Sequence, residues 1–341
     1  MTDLLSLSQE ELADELKKLG QPAFRAKQIT EWLLRGCRDF SAMNNLPLSL
    51  RKQLADSYLL HEPVLLREQC SREDGTRKYL WGLQDGNSVE TVLMHYHYGN
   101  SVCISSQVGC RQGCAFCAST IGGLVRCLSA GEMLDEVLYT EIQSGERISN
   151  IVLMGIGEPL DNFQNVLRFL RLIHSEDGRN IGLRHITIST CGLPEGMAAL
   201  AKEKFPVTLS VSLHAPDDET RSKIMPSNRG VDIVMEACKN YIEATGRRIS
   251  FEYAMIAGVN DSSCQAELLA KLAKKIGAHV NMIPLNHVEE RSLQPSSPAV
   301  MRHFQEILEQ KGVNVTIRRR LGSDIDASCG QLRRKFLSNN Q

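Results

Sequence analysis

From about residue 101 onward, short apolar runs alternate with helix-length amphipathic stretches, and that alternation leaves few folds open. Strand candidates lie at 102–106, 151–155, 185–190, 207–213, 249–255, 278–284 and 313–318. Periodic stretches at 130–144, 163–175, 194–203, 231–245, 263–276 and 298–311 separate most of them. Strands spaced by helices are parallel, because each crossover helix carries the chain back to the same end of the sheet. A barrel-like or an open α/β sheet satisfies this pattern. In both, ligands gather at the C-terminal ends of the strands. Four motifs fall there: Gly155-Ile156-Gly157-Glu158-Pro159, Ser189-Thr190-Cys191-Gly192, Ser212-Leu213-His214 and Pro284-Leu285-Asn286.

The first hundred residues read differently. Ser8 is placed to cap a helix that begins Gln-Glu-Glu-Leu, with acidic residues in its first turn. A second apolar-periodic stretch covers 23–34, and a third surrounds 47–54. Within 62–97, two short runs flank Asp85-Gly86-Asn87, the signature of a β-hairpin. The expected division is an N-terminal accessory domain of helices and a β-hairpin (1–97) and an α/β core domain (98–341). Segment 287–297 reads as one polar loop, and no internal repeat is visible.

Hydrophobic residues make up 42% of the chain and charged residues 23%, which suits a soluble protein with a sizeable core. No run approaches the roughly 18 apolar residues of a membrane helix. The N-terminus lacks the basic start and apolar stretch of a signal peptide. A cytoplasmic location is expected, where thiols stay reduced. The net charge of −1 excludes a globally basic nucleic-acid binder but not local patches. Three are candidates: Arg318-Arg319-Arg320, Arg333-Arg334-Lys335 and the segment 24–29. Solvated surface charge accounts equally well for each run taken alone.

Of the 11 cysteines, an odd number, Cys110, Cys114 and Cys117 cluster on the loop after the first core strand. In a reducing compartment such a cluster marks a metal or redox site. Structural zinc uses similar spacings but wants a fourth ligand nearby. No Cys or His lies between 118 and 126, and the nearest upstream cysteine is Cys103. A [4Fe–4S] cluster is normally held by four thiolates, so three leave one iron open for a small molecule. Spacing alone keeps zinc and iron–sulfur both in play.

Phe116 completes Cys-x3-Cys-x-aromatic-Cys, and here the chain resembles the radical S-adenosylmethionine superfamily. That resemblance implies a partial (β/α) barrel core whose open iron binds the cofactor's amino and carboxylate groups. Cleavage of the cofactor then gives a 5′-deoxyadenosyl radical. Longer segments are similar to the RlmN/Cfr family of RNA adenine methyltransferases. They are the run from Cys103 to Ser119, Met154 to Leu160, His185 to Gly192, Ser212 to Pro216 and Asp324 to Leu332.

The family chemistry follows from the substrate. Carbons C2 and C8 of adenine are electron-poor and cannot attack an electrophilic methyl group. A nucleophile must carry the methyl first, and a thiolate is the best side chain for that. The resemblance assigns the carrier role to Cys329, the resolving thiol to Cys103, with a Cys103–Cys329 disulfide after each turnover, and the proton acceptor to Glu90. It places Cys110, Cys114 and Cys117 on the cluster, and Gly157, Glu158, Ser189, Ser212, Leu213, His214 and Asn286 on S-adenosylmethionine, two molecules of which are used per turnover.

Taken locally, Glu90 is one polar residue in an alternating strand and reads as surface. Lone Ser, His and Asn residues at strand ends ordinarily satisfy loops. Only the resemblance promotes them. Cys37, Cys70, Cys127, Cys191, Cys238 and Cys264 receive no role.

The implied partners are 23S ribosomal RNA, certain transfer RNAs, and a flavodoxin or ferredoxin with its reductase, acting on a monomer away from membranes. Pro159 and Val108 favour the C2-methylating RlmN branch over the C8-methylating, resistance-conferring Cfr branch. A rival of another class is a non-catalytic metal-binding RNA module, which would need neither Cys329 nor Cys103.

Overall fold

Ser8 caps the first helix as the sequence predicts. Its hydroxyl accepts from the Glu11 amide at 3.2 Å, and the Glu11 carboxylate accepts from the Ser8 amide at 2.9 Å. This reciprocal box satisfies two otherwise orphaned donors of α1 (Gln9–Lys18). In the computed structural model, which describes residues 2–286, 288, 290–325 and 330–339, α2 (Arg25–Leu34) and α3 (Leu48–Ser57) complete a small helical unit. Its ends are tied by β1 (Thr2–Asp3) pairing in parallel with β2 (Tyr58–Leu59).

The chain then turns to strand. β3 (Val64–Cys70), β4 (Arg77–Gly82), β5 (Ser88–Tyr96) and β6 (Gly99–Cys103) form an antiparallel meander. The anticipated hairpin is β4–β5, with Gly82 opposite Ser88. β3 was not anticipated. It is an edge strand exposed along most of its length, so it carries no apolar alternation to read.

Beyond β6, a short ribbon of β7 (Gln107–Gly109) and β8 (Leu124–Cys127) frames the cysteine loop. The wound part follows: α4 (Ala130–Ser144), β9 (Asn150–Leu153), α5 (Phe163–His174), β10 (Ile186–Thr190), α6 (Pro194–Lys202) and β11 (Thr208–Ser212). It continues through α7 (Asp218–Ile224), α8 (Val231–Thr245), β12 (Ile249–Met255), α9 (Ser263–Ile276), β13 (His279–Pro284), α10 (Pro298–Gln310), β14 (Val315–Ile317) and α11 (Gln331–Asn339).

Among the described residues one ten-stranded sheet runs β14-β13-β12-β11-β10-β9-β6-β5-β4-β3. From β6 to β14 every pairing is parallel and neighbours follow chain order. That is the winding of a (β/α) barrel left open between β14 and β3, the partial barrel expected. Ile151, Ile186, Ile188, Leu209, Val211, Ile249 and Phe251 are buried in it. Parallel strands covered on both faces read as such apolar runs. The hairpin strands assigned by sequence to the accessory domain are hydrogen-bonded into this same sheet through β5 and β6.

The helical unit docks on α4 and α5. Arg168 bridges to Glu11 at 2.6 Å. The Gly131 amide donates to the Ser6 hydroxyl at 2.8 Å. Arg38, its side chain 1% exposed, pairs with Asp135, 3% exposed. Arg38 also donates to the carbonyls of Leu33 and Cys37. Removing one member of a buried pair strands the other's charge. Arg38→Met is therefore expected to lower unfolding free energy by about 3–5 kcal/mol in urea titrations, and Arg38→Met with Asp135→Leu to recover most of it. Equal losses in the single and double variants would remove this pair from the docking interaction.

Candidate active site

A cavity of about 640 Å³ opens at the C-terminal ends of the parallel strands. Each wall traces to a strand end. Gly157 and Glu158 follow β9, Ser189 and Cys191 lie at the end of β10, Ser212 and His214 end β11, Asn286 follows β13, and Arg318 follows β14. Cys110, Cys114 and Cys117 enter from the β7–β8 loop. Ser189 and Ser212 sit on neighbouring strands, their hydroxyls 3.4 Å apart. Of the residues expected at the cofactor, six line the cavity. Leu213 does not: its side chain is fully buried, and its carbonyl accepts from Arg221 Nε at 3.0 Å.

The loop after β9 needs its glycine. Gly157 has φ +112°, and a Cβ there would stand 2.6 Å from Gln107 Cβ. The Glu158 carboxylate that follows is buried. One oxygen accepts from the Leu160 amide at 3.0 Å and the other from the Cys191 amide at 2.7 Å. Burial pushes its pKa up against those hydrogen bonds. The side chains of Thr190 and Cys191 also hydrogen-bond to it, and the carboxylate stands at the wall of the cavity.

His214 is held in the left-handed region at φ 56°. Its Nδ1 accepts from the Ala254 amide at 3.0 Å, which leaves the proton of the neutral ring on Nε2. The ring meets Phe116, the aromatic of the cysteine motif, edge to face at 4.8 Å. Burial, then nearby Arg221, pulls its pKa down to about 3.

Two residues at this site escaped the sequence reading. Arg221 on α7 is 1% exposed. It donates to the carbonyls of Leu213, Cys191 and Ser212 and to the Asn228 side chain, so one guanidinium gathers the ends of β10 and β11. Cys191 lines the cavity, and its thiol is hydrogen-bonded to Cys114. That bond and burial push Cys191 well up, and the same bond holds Cys114 down. Neither residue carries a local sequence signal, since each depends on what the fold packs around it. Cys127 lies instead on β8, its sulfur against the Gln107 amide at 3.5 Å.

Cys103 is buried on β6, in a patch with Val92, Met94, Tyr96, Met154 and Leu321. Glu90 is 3% exposed, not the surface residue that alternation suggested, because β5 is covered by α4 on one side and α11 on the other. Lys78 Nζ lies 2.9 Å from its carboxylate. The Gly330 amide donates to it at 2.6 Å, as does the Arg333 amide, so Glu90 caps α11. Gly330, at φ +78°, also rests on the cysteine loop, where a Cβ would stand 2.7 Å from Ser119 Oγ.

Upstream, the Ser71 hydroxyl and the Arg72 amide donate to Asp324 at 2.6 and 2.8 Å, and the Gly322 amide donates to Asp74 at 2.8 Å. Cys329 lies outside the described residues, but both flanks of its segment are fastened to the β3–β5 meander. Of the basic runs, Arg318, Arg319 and Arg320 line the cavity, Arg334 pairs with Glu290 at 2.7 Å, and Arg25 sits over the Phe24 ring.

Three soft thiols on one loop, opening with a buried carboxylate onto a cavity of this size, are a donor set suited to an iron–sulfur cluster and a zwitterionic cofactor. Burial pushes Cys110 up to about 12, so binding iron there must release its proton.

The partial barrel and this cysteine-lined cavity define a radical S-adenosylmethionine protein, and the model of the radical SAM superfamily matches residues 104–270. The model of the ribosomal RNA large subunit methyltransferase N-terminal domain matches residues 2–60. A probable dual-specificity RNA methyltransferase RlmN of Desulforamulus reducens is 53% identical over 341 residues, covering 99% of this chain and 97% of that protein. One of the same name from Lachnoclostridium phytofermentans is also 53% identical, over 98% of this chain and 95% of its own. The crystal structure of a radical SAM methyltransferase from Sphaerobacter thermophilus superposes with a TM-score of 0.91 at 42% identity, covering 97% of this chain and 99% of that one. The chain belongs to the RlmN family. Its cofactors are a [4Fe–4S] cluster and S-adenosylmethionine.

The buried His214 gives a pH test. Its folded pKa lies below the ordinary 6.5, so between about 6.5 and 3 the unfolded chain binds a proton that the folded one does not. Stability through this group is complete above 6.5 and falls with acidification, by about 2 kcal/mol from pH 7 to pH 5. Asparagine tolerates the left-handed backbone and keeps an acceptor near Nδ1. Denaturant titrations should show His214→Asn losing about 2 kcal/mol less than wild type over that interval, and parallel losses would refute it.

Proposed function

We propose that this chain methylates C2 of an adenine in 23S ribosomal RNA and in certain transfer RNAs, through a methyl group carried on Cys329. The observation that carries this reading is the Glu90 clamp. The carboxylate binds the amide of Gly330, the residue next to Cys329, and the same Gly330 rests on the cysteine loop. This supports the reading because Glu90, which matches the family's proton acceptor, thereby stands beside the cysteine loop, with Cys103 on the strand next to its own.

The cluster and S-adenosylmethionine, when bound, supply the one-electron chemistry that removes a hydrogen atom from an unactivated methyl group. Cys110, Cys114 and Cys117 would hold the cluster. Glu158 would face the cofactor's ammonium, with Gly157 giving close backbone approach and Ser189, Ser212, His214 and Asn286 forming the rest of its bed, while Leu213 packs beneath it. The chain's own residues do the remaining work. The Cys329 thiolate accepts the methyl that the adenine ring cannot take directly. Glu90 takes a proton from the base once carbon is joined to it. The Cys103 thiolate attacks the Cys329 sulfur; the sulfur–carbon bond breaks with its electron pair going to the methylene carbon, a proton completes the methyl group on the freed RNA, and a disulfide is left to be reduced.

The N-terminal unit, residues 1–97, holds folded RNA by backbone and shape. A flavodoxin or ferredoxin with its reductase supplies electrons, and the enzyme acts as a cytoplasmic monomer. No described helix is long and apolar enough to cross a membrane.

Three outcomes are expected. Alanine at Cys110, Cys114 or Cys117 abolishes cluster iron and cofactor cleavage; full iron content in any of them would sink the ligand set. RNA treated with the enzyme contains 2-methyladenosine by mass spectrometry of digests, and a mainly 8-methyl product would favour the Cfr-like course. The two carrier-pair variants fail differently. Cys329→Ala keeps its cluster but gives neither methylated enzyme nor RNA product. Cys103→Ala accumulates a denaturation-resistant protein–RNA crosslink at Cys329. Normal turnover by Cys103→Ala would remove the resolving role.

A further inference from the structure

The β5–β6 hairpin tip carries Tyr96-His97-Tyr98-Gly99. Tight hairpins are ordinarily closed by Gly, Asn or Asp. Here Gly99 alone takes the positive φ, at 121°, and aromatic residues occupy the rest. Tyr98 is 60% exposed, and among the described residues it is the one exposed tyrosine. Its ring is stacked on Tyr96, centroids 5.0 Å apart and planes within 7°, and His97 meets it edge-on. A stacked pair with one member in solvent leaves an apolar ring surface wet, and packing within the chain does not require it.

The pair's position gives it a use. Tyr96 lines the cavity and packs on the patch that contains Cys103, Met94 and Met154. Tyr98 continues that stack outward. Arg318, Arg319 and Arg320 line the same cavity, and Arg318 is close enough for its charge to act on the Tyr98 phenol. A planar aromatic step with Arg318 near it, on a cavity that Arg319 and Arg320 also line, is complementary to an unstacked base joined to phosphates. An RNA whose target adenine has been drawn into a cavity presents such a neighbour, because extrusion also breaks the stacking of the flanking nucleotide.

We propose that the Tyr96–Tyr98 stack is a binding subsite for an unpaired RNA base flanking the target adenine, with Arg318–Arg320 taking the adjoining phosphates. This rests on the RNA-methylating reading given above. The subsite fixes which nucleotide lies beside the target without touching the atoms that react.

The test uses the full-length holoenzyme and an RNA that wild type methylates. Stacking on one aromatic face predicts that Tyr98→Ala raises KM for RNA about tenfold, with a smaller fall in kcat. Tyr98→Leu, which keeps bulk without a π face, should behave like alanine, and Tyr98→Phe or Tyr98→Trp like wild type. Iron content reports folding in each. The mapped flanking base is then replaced by 2-aminopurine. Its fluorescence should be quenched in the wild-type complex and rise in the Tyr98→Ala and Tyr98→Leu complexes. A KM within twofold of wild type for both variants, or unchanged 2-aminopurine emission, overturns the subsite while methylation itself stands. Failure of wild type to methylate any RNA overturns the reading beneath it, and the subsite falls with it.

Discussion

Hydrogen bonding between parallel strands is the constraint on which the rest depends. It sets neighbouring strand ends about 4.8 Å apart and points their carbonyl ends the same way. Ser189 and Ser212 come close on that frame: Ser189 pairs with Ser210 of the neighbouring strand, and Ser212 lies two residues further on, on the same face. Glu158, His214 and Asn286 are placed by the same rule on the loops leaving β9, β11 and β13. The cavity is therefore a property of the sheet's winding, and the loops only decide what faces it.

Buried charge then locks those loops. Glu158 is satisfied by the amides of Leu160 and Cys191, Arg221 by carbonyls from two strand ends, and Glu90 by Lys78 and the first amides of α11. Burying an ionised group without such partners costs several kcal/mol, so each one penalises any arrangement in which its loop moves away. Polar groups that look incidental in the sequence thus hold the reacting elements in register.

The wound half was legible because its signals are local. Ser129 and Ser262 each sit three residues before a Glu or Gln and form capping boxes, as Ser8 does in the N-terminal unit. Six of the seven apolar runs coincide with β9 to β14, while the first, 102–106, overlaps only the end of β6; the helix-length stretches coincide with α4, α5, α6, α8, α9 and α10. Elements without a local signal stayed hidden: the exposed edge strand β3, the seven-residue α7 and the four-residue β8. Glu90 misled for a related reason, since alternation distinguishes two faces only when one is wet, and β5 is covered on both. Cys110, Cys114 and Cys117 marked a candidate metal or redox site by spacing. The pairing of Cys191 with Cys114 depends on tertiary packing that no spacing reports.

The fastening of the C-terminal segment to the N-terminal meander ties together parts of the chain that are far apart in sequence. Asp324 is held by Ser71 and Arg72, and Gly330 by Glu90. These bonds join residues 253, 252 and 240 positions apart. Contacts so distant in sequence carry a large loop-closure cost until the barrel between them is wound, so this wall of the cavity is a product of the finished fold and of neither end alone.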